Sequence, residues 1–282
     1  MGSYKIKDLS SLTGIKTHTI RIWEKRYGLL NPERTKSKIR SYSEADLTQL
    51  LNVAILYNKG WKISKISNLS PTEISTVIQK EVLTDENDQS VISLLVKALV
   101  ELDTLLFDEV CTNAIQREGL EVTYTRYFLP FLDRIGTLWL VGTITPFQEH
   151  FASNAIRQKI IASTDQLPLI KKRNIDAVLF TPEEEWHEMS LLYYQFILRK
   201  RGYRTVYLGA NLPLDGLEGL VHSIQTKNIV VSMISGKSKS EYEDYILALT
   251  TAVQRPVFIG GALSDRWGIS DYEWVFPIQD LI

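Results

Sequence analysis

The chain has 282 residues and a mass of 32.3 kDa, and at roughly 100 to 200 residues per domain this predicts two or three domains. Its 44% hydrophobic and 23% charged residues exclude collagen, a coiled-coil rod and wholesale disorder. The formal net charge of -1 hides an asymmetry: residues 1–80 hold 14 Lys and Arg against 6 Asp and Glu, a net of +8, whereas residues 81–170 sum to -7 and residues 171–282 to -2. A basic head on an acidic body fits a chain whose first domain alone meets a polyanion, because bound phosphates need local positive charge. A merely well-solvated basic surface is the other reading. The single cysteine, Cys111, cannot form an internal disulfide, and no basic-then-apolar segment follows Met1, so a cytoplasmic location is expected. No apolar run of about 18 residues occurs, so no membrane partner is expected.

From the N-terminus, Ile6, Leu9 and Leu12 recur at helical spacing and Gly14 supplies a turn. Thr17 is a candidate N-cap for a second helix, with Ile20, Trp23 and Tyr27 on the buried face and His18, Arg21 and Lys25 on the outer face. Two short helices joined by a Gly turn, the second basic, predict a helix-turn-helix whose second helix enters a major groove. The basic loop with Arg34, Lys36, Lys38 and Arg40, flanked by Tyr27 and Tyr42, reads as a wing. Ser43-Glu44-Ala45-Asp46 has the pattern of a capping box opening a third helix with Leu47, Leu50, Leu51, Ala54 and Ile55 on one face, ended by Gly60. Trp61, Ile63 and Ile66 suggest a brief fourth helix, and Ser70-Pro71-Thr72-Glu73 starts another.

The string from Thr19 to Leu30, followed by Pro32, Arg34, Arg40, Tyr42, Ser43 and Asp46-Leu47, resembles the signature of the MerR family of winged helix-turn-helix regulators over about 70 residues. The Ile22-Trp23 pair in the second helix is similar to the light- and cobalamin-responsive CarH-type branch, and Ile39 departs from the aromatic or His usual beside the wing arginine. The resemblance implies double-stranded DNA as partner, a palindromic operator, and a homodimer or homotetramer. The candidate DNA-binding residues are His18, Arg21, Lys25, Arg26 and Tyr27 from the second helix and Arg34, Lys36, Lys38, Arg40 and Tyr42 from the wing, the wing cations mostly on phosphate.

The polar segment 84–88 reads as a linker. Beyond it, Leu94, Leu95, Ala98, Leu99 and Leu102, then Phe128, Phe131, Leu132 and Ile135, recur at helical spacing and predict a helical bundle. The period then changes. Short apolar runs at Ala177–Phe180, Val206–Leu208, Ile229–Val231, Pro256–Ile259 and Trp274–Phe276, the first three each followed by a helix-like segment, predict a parallel sheet covered on both faces. The expected fold is therefore multidomain α and α/β: a winged helix-turn-helix over 1–80, a helical bundle over 88–168, and a Rossmann-like (flavodoxin-like) parallel sheet of about five strands over 172–282.

In open parallel sheets ligands bind beyond the carboxyl ends of the strands, where the loop Thr181 to Ser190 falls. His187 is either an N-terminal helix-cap residue or a metal ligand. In the second case Glu185 would accept the proton of one imidazole nitrogen and leave the other for a metal. Leu191 excludes a zinc-protease spacing. The arrangement Glu185-x-His187-x-x-Ser190, Ser232 in the third strand and Gly260-Gly261 after the fourth resembles the cobalamin-binding Rossmann-like module. The resemblance implies that His187 is the lower cobalt ligand and that the small residues make room for the cofactor's displaced nucleotide tail. Ser190 departs from the usual Gly, which narrows that room. Trp139, followed ten residues later by Glu149-His150, resembles the cap of the CarH-type sensors, where the Trp covers the upper face of the cobalamin and the Glu-His pair sits beside the adenosyl group; read locally, these are a core residue and a surface pair. Leu140 stands where light-sensing members place a second His, and leucine has no metal-binding atom, so the bis-histidine photoproduct is not expected. A degenerate cobalamin site that answers to a protein partner or another small ligand is the alternative. No nucleophile with a visible base occurs, so the chain is expected not to be an enzyme.

Overall fold

A computed structural model describes residues 4–34, 40–78, 88–140, 143–234, 237–268 and 273–282. The chain divides into two compact units, Met1–Ile156 and Arg157–Ile282.

The first unit opens with helices α1 (Ile6–Thr13) and α2 (Thr17–Tyr27). Gly14 closes α1 with φ 75°, a left-handed value that a side chain would strain, and the buried Thr13 hydroxyl accepts from the Ile15 N–H at 3.2 Å, which fixes the turn. Lys16, not Thr17, is the N-cap of α2, and it makes no side-chain cap bond; Thr17 is already helical. Strands β1 (Glu33–Arg34) and β2 (Arg40–Ser41) pair antiparallel. Lys36 and Lys38 lie outside the described residues, as does the Arg34 side chain. Helix α3 (Glu44–Asn58) starts on the expected box: the Ser43 hydroxyl accepts from Asp46 N–H at 3.1 Å, and the Asp46 carboxylate accepts from Ser43 N–H at 2.9 Å. Such a cap contributes about 1 kcal/mol. Val53 and Leu56 are buried beside the expected face, so α3 is apolar nearly all round. The reason is a second neighbour. Helices α4 (Ile63–Ile66) and α5 (Pro71–Val77) follow, and then α6 (Asp88–Glu101) packs on α3, with Asn58 Nδ2 donating to Ser93 Oγ at 3.1 Å.

Helices α7 (Thr104–Thr123), α8 (Leu129–Leu140) and the first part of α9 (Pro146–Asp165) complete the bundle. Gly119 interrupts α7 at φ 79°, and the turn Tyr124–Phe128 is wound as a π-helix. Leu94, Leu95, Ala98, Leu99, Phe128, Phe131 and Ile135 are core, as the spacing predicts. Leu102 is not: it lies one residue beyond α6 at φ 50° and is 51% exposed.

The second unit is a five-stranded, all-parallel sheet in the order β4-β3-β5-β6-β7, with β3 Ala177–Pro182, β4 Thr205–Leu212, β5 Asn228–Ser232, β6 Val257–Gly260 and β7 Val275–Pro277. Every β3 residue is buried, as expected for an interior parallel strand covered on both faces. Helices α10 (Met189–Lys200), α11 (Leu217–Ile224), α12 (Lys239–Val253) and α13 (Ala262–Trp267) connect the strands. Val178, Phe180, Val231 and Ile259 form the sheet core with Val221, Tyr242 and Ile246 of the helices. At the base of the sheet the Asp176 carboxylate accepts from Arg204 N–H (2.9 Å), Lys227 Nζ (3.1 Å) and Lys172 Nζ (3.4 Å).

Candidate functional site

On the basic head, His18, Arg21, Lys25 and Arg26 are exposed or half-exposed on α2 while Ile20 and Trp23 face the core. A helix so divided presents cations outward along one rod. Tyr27 is half-buried. The wing is braced from beneath: Arg40 Nε reaches Glu24 Oε1 at 3.0 Å and the Tyr42 hydroxyl donates to Glu24 Oε2 at 3.0 Å. Tyr42 is fully buried, which corrects its placement among the DNA-contacting side chains; burial, then the bond to Glu24, push its phenol pKa up, so it remains a neutral donor. Arg40 and Tyr42 thus lock the wing strand onto α2 through one carboxylate.

In the helical unit Trp139 is 49% exposed near the end of α8, because Phe131, Ile135 and Leu138 take the buried seam. The local expectation of a core tryptophan fails for that reason. Glu149 and His150 are a surface pair at 3.1 Å. Leu140 ends α8, and its side chain lies outside the described part.

At the carboxyl end of β3, the loop to α10 holds a tightly built constellation. Glu185 is 2% exposed, and its carboxylate accepts from the His187 N–H (2.9 Å), His187 Nδ1 (2.7 Å) and the Ile234 N–H beyond β5 (2.9 Å). A carboxylate so placed holds the imidazole proton on Nδ1 and leaves the lone pair on Nε2. The loop backbone is fixed in turn: Glu184, at φ 67°, donates its N–H to Asn211 Oδ1 at 2.7 Å, and Thr181 Oγ1 donates to Glu185 O at 2.5 Å. Glu188, the N-cap of α10, accepts from Arg157 Nη2 at 2.6 Å and from the Tyr207 hydroxyl at 2.6 Å. Burial, then the bond to Glu188, raise the Tyr207 phenol well above its ordinary value, so it too donates as the neutral form. The His187 ring stays 63% exposed at the end of this scaffold.

Ser190, Ser232, Gly260 and Gly261 also converge. Ser190 Oγ and Ser232 Oγ lie 2.6 Å apart. Gly261 has φ 96°, and a Cβ there would fall 2.5 Å from the Met233 carbonyl oxygen; a Cβ at Gly260 would fall 2.7 Å from Tyr194 Cζ and 2.8 Å from Ile278 Cγ2. The donor side of the site, a carboxylate-oriented imidazole, has the chemistry of a histidine that could hold a metal. The small-residue side is filled by the chain's own hydroxyls and phenol.

A local reading of the sequence brings out Glu185 and His187, and the family resemblance adds Ser190, Ser232 and the two glycines. Both miss Arg157, Glu188, Tyr194, Tyr207 and Asn211. Glu188 is accessible as an acidic residue at a helix start; the others are remote in sequence from the residues they support, at positions that look like ordinary helix or strand.

Residues 4–73 match the family described as MerR HTH family regulatory protein, and residues 91–162 match the B12 binding domain. The chain is similar to the HTH-type transcriptional repressor CarH of Myxococcus xanthus, 29% identical over 92% of this chain and 89% of that one. It is also similar to the repressor CarA of the same organism, 26% identical over 91% and 86%. Among solved structures, the monomethylamine corrinoid protein of Methanosarcina barkeri shares its fold at a TM-score of 0.50 and 18% identity, over 65% of this chain and 87% of that one. The chain therefore carries a MerR-type winged helix-turn-helix followed by a B12-binding-type region, and along nearly its whole length it resembles the CarH-type repressors.

Proposed function

We propose that the chain is a DNA-binding transcriptional regulator that senses a corrinoid of the cobalamin class through His187 and converts its binding into a change of oligomeric state or operator affinity. The observation that carries the corrinoid reading is the Glu185–His187 pair at 2.7 Å at the carboxyl end of the interior strand β3. When bound, the corrinoid would supply a cobalt centre; Nε2 of His187 would be the side-chain donor that holds it, and Glu185, bonded to Nδ1, would keep the imidazole in the tautomer that donation needs. Glu188, anchored by Arg157 and Tyr207, fixes the start of α10 and with it the angle of the imidazole.

DNA binding rests on the outward cations of α2, with Arg21 and His18 toward base edges and Lys25 and Arg26 toward phosphates. One head of this size offers few base contacts, so a homodimer or homotetramer on a palindrome is the expected assembly. The test is a spectral titration of the full chain with corrinoids, in wild type and in His187→Ala. A saturable shift that His187→Ala abolishes supports the reading. No co-elution and no shift would sink it and favour a degenerate site that answers to a protein partner or another small ligand, a reading favoured by the closed Ser190–Ser232 contact.

A further inference from the structure

The small residues that the sequence resemblance assigns to the nucleotide tail do not leave an open slot. Tyr194, one turn along α10 from Ser190, lays its phenol against the backbone of Gly260, from which even a methyl group would be excluded by Tyr194 Cζ at 2.7 Å and Ile278 Cγ2 at 2.8 Å. The Tyr194 hydroxyl is held inside the fold, and the residue is only 9% exposed. Burial of that hydroxyl pushes its pKa up to about 12, so it stays neutral and compact at any physiological pH. On the other side the Ser190 and Ser232 hydroxyls are in direct contact at 2.6 Å, a distance that admits no intervening atom. Two independent contacts thus seal the same layer between α10 and the ends of β5 and β6.

We propose, resting on the corrinoid reading above, that Tyr194 with Ser190 makes this site selective for corrinoids that lack the lower nucleotide. A tail-bearing corrinoid must displace the Tyr194 ring from its packed position and break the Ser190–Ser232 contact. A tail-free one needs neither, because the imidazole of His187 is 63% exposed outside the sealed layer and is reached without opening it. His187 would offer its Nε2 lone pair to the corrinoid's metal, a ligation that calls for no change of oxidation state.

The test compares aquocobinamide, which has no nucleotide, with hydroxocobalamin, on the full-length chain by equilibrium titration, together with the electron paramagnetic resonance of the cobalt(II) cobinamide complex, where a nitrogen splitting reports a protein imidazole because the corrinoid carries no nucleotide base of its own. The expected result is that cobinamide binds at least about tenfold more tightly than cobalamin, a difference of about 1.4 kcal/mol. Tyr194→Ala and Ser190→Gly should each tighten cobalamin and leave cobinamide within about twofold, closing the gap. Tyr194→Phe, which keeps the ring, should preserve it. Ser190→Gly serves as the second variant where Tyr194→Ala fails to fold. Equal or tighter binding of cobalamin by the wild type, unchanged by either opening variant, would overturn the selectivity and leave the corrinoid reading standing. Failure of both corrinoids to bind, or cobinamide binding indifferent to His187→Ala, would overturn both.

Discussion

The guanidinium of Arg134 on α8 donates from Nη2 to the carbonyl oxygens of Leu12 at 2.5 Å and Ser11 at 3.2 Å, at the last turn of α1. The carbonyls at a helix end have no partner within the helix, and here a side chain from the bundle satisfies them. The same guanidinium lies 3.4 Å from where a Cβ at Gly14 would stand, at the turn of the helix-turn-helix. Burial pulls the Arg134 pKa down, but an arginine starts so high that it remains charged. Arg134 therefore ties the bundle to the turn that sets the angle between α1 and α2. Arg134→Ala should lower the stability of the first unit by about 1–2 kcal/mol, and Arg134→Lys should recover little, since an ammonium lacks the planar fork that spans two carbonyls. Urea unfolding followed by tryptophan fluorescence measures this; identical midpoints for wild type and Arg134→Ala would show that the clamp contributes nothing.

The carboxylate of Glu185 accepts from both the backbone N–H and the ring of His187, and from the Ile234 N–H. Glu185→Ala should cost about 10- to 100-fold in corrinoid affinity, the range typical when a residue orienting a metal-bound histidine is removed. Glu185→Gln keeps one acceptor oxygen and should fall between. The check is a titration against cobinamide. An unaffected affinity in Glu185→Ala would mean that the imidazole needs no orienting partner.

On the head, Arg21, Lys25 and Arg26 are exposed on α2, and the reading proposed above puts Lys25 and Arg26 on phosphates and Arg21 at a base edge. Replacing Lys25 or Arg26 by Ala should weaken binding to all sequences alike and reduce the slope of log K against log salt by about one for each phosphate no longer neutralised. Arg21→Ala should instead cost about 1–3 kcal/mol on the operator and relax its specificity at one position. Fluorescence anisotropy over a salt series, on operator and scrambled duplexes, separates the two behaviours. A uniform weakening for Arg21→Ala would move that residue to the phosphate class.

Asp176 makes the sheet unit acid-sensitive. Burial by itself would raise its pKa, but the Arg204 N–H and the ammonium groups of Lys227 and Lys172 outweigh this and hold it below the ordinary 3.8. A carboxyl depressed on folding contributes stability that is fully present above its unfolded pKa and disappears as pH falls through the folded value. Asp176→Asn should therefore destabilise the sheet unit by about 1–2 kcal/mol at pH 7 and flatten the decline of stability below about pH 4. Thermal unfolding by circular dichroism from pH 7 to pH 3 reads it; parallel curves for the two proteins would remove Asp176 from the account.

The features legible in the amino-acid order are the local ones. The capping box Ser43–Asp46, the alternation of β3 through β7 with helices, and the Glu185–His187 pair each lie within a few residues of sequence, where spacing decides which side chains meet. Thr17 shows the limit of such reading, because composition alone does not distinguish a capping threonine from the first helical residue beside it. Trp139 shows another: its bulk argues for burial, whereas its position one residue off the α8 seam leaves it half-exposed.

Helix and strand periods and short-range hydrogen bonds are encoded locally, so the elements, the basic head and the imidazole with its carboxylate all follow from the order of residues. The long-range partnerships do not: Arg134 capping Leu12, Tyr207 and Arg157 meeting on Glu188, and Tyr194 filling the space beside Gly260 exist only in the folded chain. These partners are separated by 19 to 122 residues, and no period relates them. Close packing brings them together, because a buried interior leaves each side chain one shape to fill and each buried polar atom one partner to find.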